Sequence, residues 1–377
     1  MTAVTSTEIL IVGAGVIGLT TAVHLADRGR KVLVIDQGAP ARQASWAGAG
    51  MLPPGYVTQA FSPEARLRSL SCQLWPQLNQ RLRDLGCDDN EYHQCGSVLL
   101  FEDTAAAVES VRQWTADGAE AELLDERDLR QSLPQINDCW SVAVRLPQQA
   151  QVRNPRHLKA LLQACSKLGV TVRQDLCCPA LPCSENLHAI AVNGQRIEFS
   201  RMLISSGAWS GDLLAGLDCS LPVHPVRGQI AQLQGPPGLL STIIECERRY
   251  LVPRRDGRIL IGSTEEHAGF SVATTDAGIA GLRQFAADLV PGLADLPLVN
   301  QWAGLRPGSP DELPAIGLLP GSRNIFVAVG HFRSGLQMSP GTGAVAAALL
   351  CDEAPAIDLG GLEPERFLQL QTDVSEL

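Results

Sequence analysis

The apolar positions near the N-terminus gather into two short runs, Ile9-Leu10-Ile11-Val12 and Val32-Leu33-Val34-Ile35. Short apolar runs of this kind predict strands. Between them lie Gly13-Ala14-Gly15-Val16-Ile17-Gly18 and a helical stretch, Leu19 to Arg28, closed by Gly29; Asp36 follows the second run. Strand, glycine turn, helix, strand and acid together make a dinucleotide-binding βαβ unit, with the acid about 20 residues beyond the glycines. Gly13 permits a tight turn, Gly15 lets a pyrophosphate approach, and Gly18 packs the helix onto the strand. The helix N-terminus offers N–H groups and partial positive charge to phosphates. Asp36 is placed to accept hydrogen bonds from ribose hydroxyls. The motif alone does not separate FAD from NAD.

Further along, Leu67, Leu70, Leu74 and Leu78 recur at helical spacing within a helix over Glu64 to Leu85. Helices are also predicted over Ala105 to Gly118, from Asn154-Pro155 to Leu168, and over Ala277 to Leu289. Strands are predicted at Gly96–Phe101, Val142–Leu146, Val170–Leu176, Ala189–Val192, Arg196–Phe199 and Ile325–Val329. Met202 to Ser210 reads as a buried strand ending in a small-residue turn, and Pro222–Leu233 and Tyr250–Ile261 as parts of an antiparallel sheet. The small residues Ala44 to Met51 suggest backbone packed against something flat. A last helix is expected to start near Gly341 and to carry Ala344 to Leu350.

At 377 residues the chain predicts two domains. Nucleotide-type strand ends recur near the start, around Ser205–Ser210 and at Gly330, so one α/β domain is expected from three separated segments. The expected division gives residues 1–88, 149–220 and 301–377 to the nucleotide-binding domain. Residues 89–148 and 221–300 form an α+β substrate domain on an antiparallel sheet. A net charge of −10 argues against nucleic acid or an anionic membrane as partner. The segment before Ile9 is short, polar and without Lys or Arg, so no secretory leader is expected. Eleven cysteines, irregularly placed and without a C-x-x-C pair, read as reduced thiols of a cytoplasmic protein, with Cys177, Cys178 and Cys183 the one cluster. No metal site is expected.

Arg306 sits among small and apolar residues in Trp302-Ala303-Gly304-Leu305-Arg306-Pro307-Gly308. A buried guanidinium needs an anion: either a ligand carboxylate, or a structural partner such as Asp311 or Glu312. Tyr250, at a strand start, is either packing or a hydroxyl donor. His331 is not needed as a base, and no Ser-His-Asp pattern is present. With a single GxGxxG unit, electrons are expected from an organic substrate rather than from NAD(P)H.

Six stretches carry a resemblance over nearly the whole chain: Ile9 to Asp36, Ala47 to Leu52, Ser206 to Ser210, Tyr250 to Arg254, Trp302 to Gly308 and Gly330 to Gly335. The chain resembles the FAD-dependent D-amino-acid oxidase superfamily, most closely its glycine oxidase branch linked to thiamine biosynthesis. The resemblance implies a Rossmann-like FAD-binding domain. Gly13, Gly15, Val16, Ile17 and Gly18 would cradle the pyrophosphate, with Ala44 and Ser45 along it. Asp36 and Gln37 would hold the ribose, and Cys178 would meet the adenine through its backbone. Ala49, Gly50 and Met51 would run beside the flavin ring. His331, Phe332, Arg333, Ser334, Gly335, Leu336 and Gln337 would wrap its pyrimidine end. Arg306 would grip a substrate carboxylate, helped by Tyr250 and the Arg333 carbonyl. The N-terminus of the helix opened by Gly341-Thr342-Gly343 would face the flavin N1–C2=O edge.

The implied reaction is oxidative deamination of glycine, sarcosine or small D-amino acids. Hydride passes to the flavin, water converts the imine to oxo acid and ammonia, and dioxygen is reduced to hydrogen peroxide; the product would feed thiamine thiazole synthesis. The alternative is a D-amino-acid dehydrogenase using another acceptor. Leu305 to Gly317 holds no cysteine, so FAD is expected to be non-covalent. The resemblance also implies a homo-oligomer, a tetramer. Glu265 stands where the branch pattern has methionine, which would make the pocket more polar.

Overall fold

The computed structural model describes residues 4–55, 62–182, 184–215 and 221–368. Cys183 lies outside them. A six-stranded sheet runs in the order Thr171–Arg173, Val32–Ile35, Ile9–Val12, Arg201–Ile204, Ile325–Val329, Ala315–Leu318. The first five strands are parallel and the last is antiparallel. Both faces are covered, which explains the unbroken apolar runs. Ile9, Ile11, Val32 and Val34 pack with residues of the helices Val16–Asp27, Asn154–Lys167 and Gly335–Leu350. Leu10, Val12, Leu33 and Ile35 pack instead with Ile190, Val192 and Ile197 of a small three-stranded sheet. Period-two side-chain alternation thus splits each short run between two cores.

The second large sheet has eight strands, ordered Leu298–Gly308, His224–Gln234, Arg258–Gly262, Arg249–Pro253, Ile243–Cys246, Ser97–Phe101, Val142–Leu146, Glu122–Leu124. It is antiparallel except where Ile243–Cys246 pairs parallel with Ser97–Phe101, a join between separated segments that local pattern does not show. The strand Leu298–Gly308 spans the division set at residue 300. Pro307 is tolerated there because the strand lies at the sheet edge. A fourth sheet pairs Ala150–Gln151 with Met51–Leu52 and with His93–Gln94.

The last helix corrects one expectation. It begins at Gly335 with Ser334 as N-cap, so Gly341-Thr342-Gly343 lies inside it rather than opening it. A Cβ on Gly341 would sit 2.4 Å from Ser71 Oγ, and one on Gly343 would sit 2.8 Å from Thr20 Cγ2. These glycines serve close helix packing, not a turn. Gly18 is alike: its Cβ would fall 2.0 Å from the Gly13 carbonyl oxygen.

Candidate flavin site

Four parallel strands end on one cavity. Ile9–Val12 delivers Gly13, Val32–Ile35 delivers Asp36, Arg201–Ile204 delivers Ser205 and Ser206, and Ile325–Val329 leads through Gly330 to His331. The chain winds outward in both directions from Ile9–Val12 and Arg201–Ile204, so the cavity lies at the switch point of the sheet. Its volume is about 480 Å³. One end is lined by Asp36, Gln37, Cys177 and Cys178, the middle by Gly13, Gly15, Val16, Ile17, Ala44 and Ser45. The far end is lined by Ala49, Gly50, Met51, Tyr250, Arg306, His331, Phe332, Arg333, Gly335 and Leu336. Three expected contacts are not in the lining. Gly18 packs behind the turn, Ser334 caps the last helix, and Gln337 turns away to donate to the Pro53 carbonyl at 2.8 Å.

The middle is built for an anion. The N-cap of Val16–Asp27 is Gly15, which caps with no side chain. The Val16 N–H reaches Ser45 Oγ at 3.0 Å, and a Cβ on Gly15 would meet only Ser45 Oγ, at 3.2 Å. Asp36 is held by backbone: its Oδ2 accepts from Ala14 N at 2.8 Å and its Oδ1 from Gly38 N at 3.1 Å. Burial raises its pKa from the ordinary carboxylate value. Burial also pushes the Cys178 thiol up to about 12, so it stays protonated.

The wall from Ala44 to Met51 is pinned from three sides. Asn154 Nδ2 donates to the Ser45 carbonyl at 2.7 Å, Trp302 Nε1 to the Ala47 carbonyl at 2.9 Å, and Arg254 Nη2 to the Ala49 carbonyl at 2.7 Å. At the same end the last helix points its N-terminus inward from Ser334, again without a side-chain cap. His331 is buried, with Nε2 3.0 Å from Thr342 Oγ1; burial drops its pKa to about 3, so it is neutral.

Arg306 projects from the edge strand. Nη1 donates to the Thr264 carbonyl at 3.2 Å and Nη2 to Ser263 Oγ at 2.5 Å. It has no ion-pair partner among the described residues. Asp311, one candidate partner, pairs with Arg366 instead. Burial lowers the Arg306 pKa from its usual 12.5. Glu265 does not line the cavity; it is held by the guanidinium of Arg333 and, at 3.1 Å, by that of Arg248. The extra carboxylate is thereby neutralised at the rim, because the same fold that brings it near the pocket brings two arginines to it.

A family model described as "FAD dependent oxidoreductase" matches residues 8–349. Glycine oxidase of Pseudomonas aeruginosa is 37% identical over 357 residues, covering 94% of this chain and 97% of that one. The chain belongs to the FAD-dependent oxidoreductases, in their glycine oxidase branch. The bifunctional protein ThiO/ThiG of Synechocystis is 30% identical over 97% of this chain, which spans 54% of that longer protein. The crystal structure of glycine oxidase from Geobacillus kaustophilus superposes with a TM-score of 0.89 at 30% identity, covering 95% and 98% of the two chains.

The residues present fit FAD. The cavity is lined by an acid, by a glycine cradle at one helix N-terminus and by the N-terminus of a second helix. Sequence reasoning did not single out several of the lining residues. Gly228, Ser263, Gly304 and Trp209 also line the cavity. A glycine inside a strand, as at Gly228 and Gly304, was the available signal, since it marks close approach by a neighbour.

Proposed function

We propose that this flavoenzyme oxidises the Cα–N bond of a small amino acid held by its carboxylate, with glycine the substrate and sarcosine or small D-amino acids as alternatives. The carrying observation is the Arg306 guanidinium, which faces the cavity without an acidic partner among the described residues. A planar fork takes a carboxylate through two charge-assisted hydrogen bonds. Tyr250 lines the same end and would add its hydroxyl, and the Arg333 backbone carbonyl would accept from the amine. Bound FAD would supply the two-electron acceptor for hydride from Cα and pass the electrons to dioxygen. Ser263 and Thr264 would hold Arg306 so that the substrate Cα–H bond keeps one angle. Neutral His331 leaves a hydrogen-bonding, uncharged wall. Glycine, water and dioxygen then give glyoxylate, ammonia and hydrogen peroxide.

Further parts of the reading rest on the family. FAD would be bound without a covalent link; Cys177 and Cys178, which line the cavity, lie at the Asp36 end. Residues 1–88, 149–220 and 301–377 would bind FAD, and 89–148 with 221–300 would shape the substrate end. The protein would work in the cytoplasm as a homotetramer and feed thiamine thiazole synthesis. Among the described residues no helix is long and apolar enough to cross a membrane.

Anaerobic titration with glycine should bleach the flavin absorbance, and admitting air should restore it with one hydrogen peroxide per glyoxylate. Bleaching without peroxide would make the protein a dehydrogenase. No bleaching with glycine, sarcosine or D-alanine would defeat the reading. Acid precipitation should release all flavin to the supernatant.

A further inference from the structure

Arg254 is a buried cation that the chemistry above does not use. It is 6% exposed and makes no ion pair among the described residues. Burial lowers its pKa to about 10, so it stays charged at neutral pH. Removing a charge from water without an acid to face it costs several kcal/mol unless its donors are well matched. Here they are matched by neutral oxygens. Nη1 donates to Gln151 Oε1 at 2.6 Å and to the Val152 carbonyl at 3.1 Å, and Nη2 donates to the Ala49 carbonyl at 2.7 Å.

Those acceptors belong to two pieces of chain that meet at the cavity wall. The Val152 N–H donates to the Gly50 carbonyl at 2.9 Å, so Arg254 and Val152 hold two successive carbonyls of the wall. Gly50 is fixed there by contact, since a Cβ on it would fall 1.9 Å from the Val152 carbonyl oxygen. Gln151 closes the loop by donating from Nε2 to the Pro253 carbonyl at 3.0 Å. Pro253 ends the strand Arg249–Pro253, which carries Tyr250. Met51 and Tyr250 both pack on the cluster formed by Ala49, Val252 and Leu260. The guanidinium therefore joins the Ala49–Met51 wall to the strand that presents Tyr250.

We propose that Arg254 is a positioning residue: its fork sets the spacing between the Ala49–Met51 wall and the substrate-side strand, and so the alignment of a substrate against the flavin. A neutral donor could tie one carbonyl; only a planar, multi-donor cation reaches all three acceptors at once. The inference rests on the amino-acid oxidase reading for its kinetic consequence, but its structural consequence is read on bound flavin without any substrate.

The test uses the full-length protein with Arg254→Met, Arg254→Lys and, should the methionine variant fail to fold, Gln151→Leu, which removes one acceptor. FAD affinity, the visible flavin spectrum, melting temperature and steady-state kinetics with glycine are measured on each. Arg254→Lys keeps the charge but not all three matched acceptors, so it should fold with a lowered melting temperature. Its flavin bands should also shift, and its kcat should fall on the order of tenfold or more, with KM changed less than about threefold, the pattern of lost alignment. Arg254→Met should show the same pattern with weaker FAD binding, and Gln151→Leu a milder form of it. A folded Arg254→Lys with an unchanged flavin spectrum and kcat within about twofold of wild type overturns the proposal. So does a loss that appears only as a lowered melting temperature. If wild type fails to turn over glycine, the functional reading fails, while the spectrum and FAD affinity still decide the role of Arg254.

Discussion

Gly228 leaves open the space that the Arg306 guanidinium occupies. The two lie on adjacent antiparallel strands, where Val226 opposes Arg306 and Gly228 opposes Gly304. A Cβ on Gly228 would fall 2.3 Å from Arg306 Nη2 and 2.5 Å from Cζ and Nη1. Gly262 stands in the same relation to Tyr250, whose hydroxyl would lie 2.5 Å from an added Cβ. Both proposed carboxylate donors are thus seated over strand glycines.

Gly228→Ala follows from this directly. The clashing atoms are the far end of a flexible side chain, so the protein should fold and retain FAD while Arg306 is displaced. A shift of about 1 Å in an anchoring group is expected to lower kcat/KM on the order of a hundredfold. Gly281→Ala is the control, because a Cβ there meets nothing within 4 Å. Kinetics on FAD-replete proteins decide it; equal activity of the two variants would remove the steric link.

Arg306→Ala should cost on the order of 2–5 kcal/mol in kcat/KM for glycine, with normal flavin content. The substrate has few atoms, so its carboxylate must supply both affinity and orientation. Arg306→Lys should stay clearly impaired, since a point charge cannot reproduce two parallel hydrogen bonds. An alanine variant within about threefold of wild type would take Arg306 out of the site.

Asp36→Ala should weaken FAD binding by about 1–3 kcal/mol, the usual cost of losing a charged hydrogen-bond partner. Part of that loss would come from the turn itself, because Asp36 also holds the Ala14 and Gly38 N–H groups. Equilibrium dialysis of apoprotein with FAD measures it. Affinity equal to wild type would leave Asp36 as a turn residue only.

Acid should destabilise the fold partly through buried neutral histidines. His157 is fully buried with Nδ1 3.2 Å from the donor Asn90 Nδ2, and burial lowers its pKa from 6.5 to about 3. Between those values the unfolded chain binds a proton that the folded chain does not. Stability therefore rises with pH across that window and is lost as pH falls from 6.5 toward 3. His157→Phe should flatten the stability profile there by about 1.4 kcal/mol per pH unit. Urea denaturation at pH 5 and pH 7 tests this; parallel profiles would contradict it.

The sequence by itself determined the βαβ unit, most of the helices and strands, and the glycines and acid that line the cavity. Those features are local: an apolar run, a glycine turn and an acid carry their meaning within about 30 residues. Tertiary structure decided what depends on separated segments meeting. Gly341 and Gly343 read as a helix start in sequence, and only their contacts with Ser71 and Thr20 show them as packing positions inside the helix. Glu265 read as a polar intruder, and only the fold brings Arg333 and Arg248 to neutralise it. Asp311 stood five residues from Arg306 as a ready partner, yet the chain reserves it for Arg366. That choice leaves the Arg306 guanidinium hydrogen-bonded to neutral oxygens, with Glu265 near enough to favour its charge but not to pair with it, because ion pairing follows distance in space and not separation along the chain.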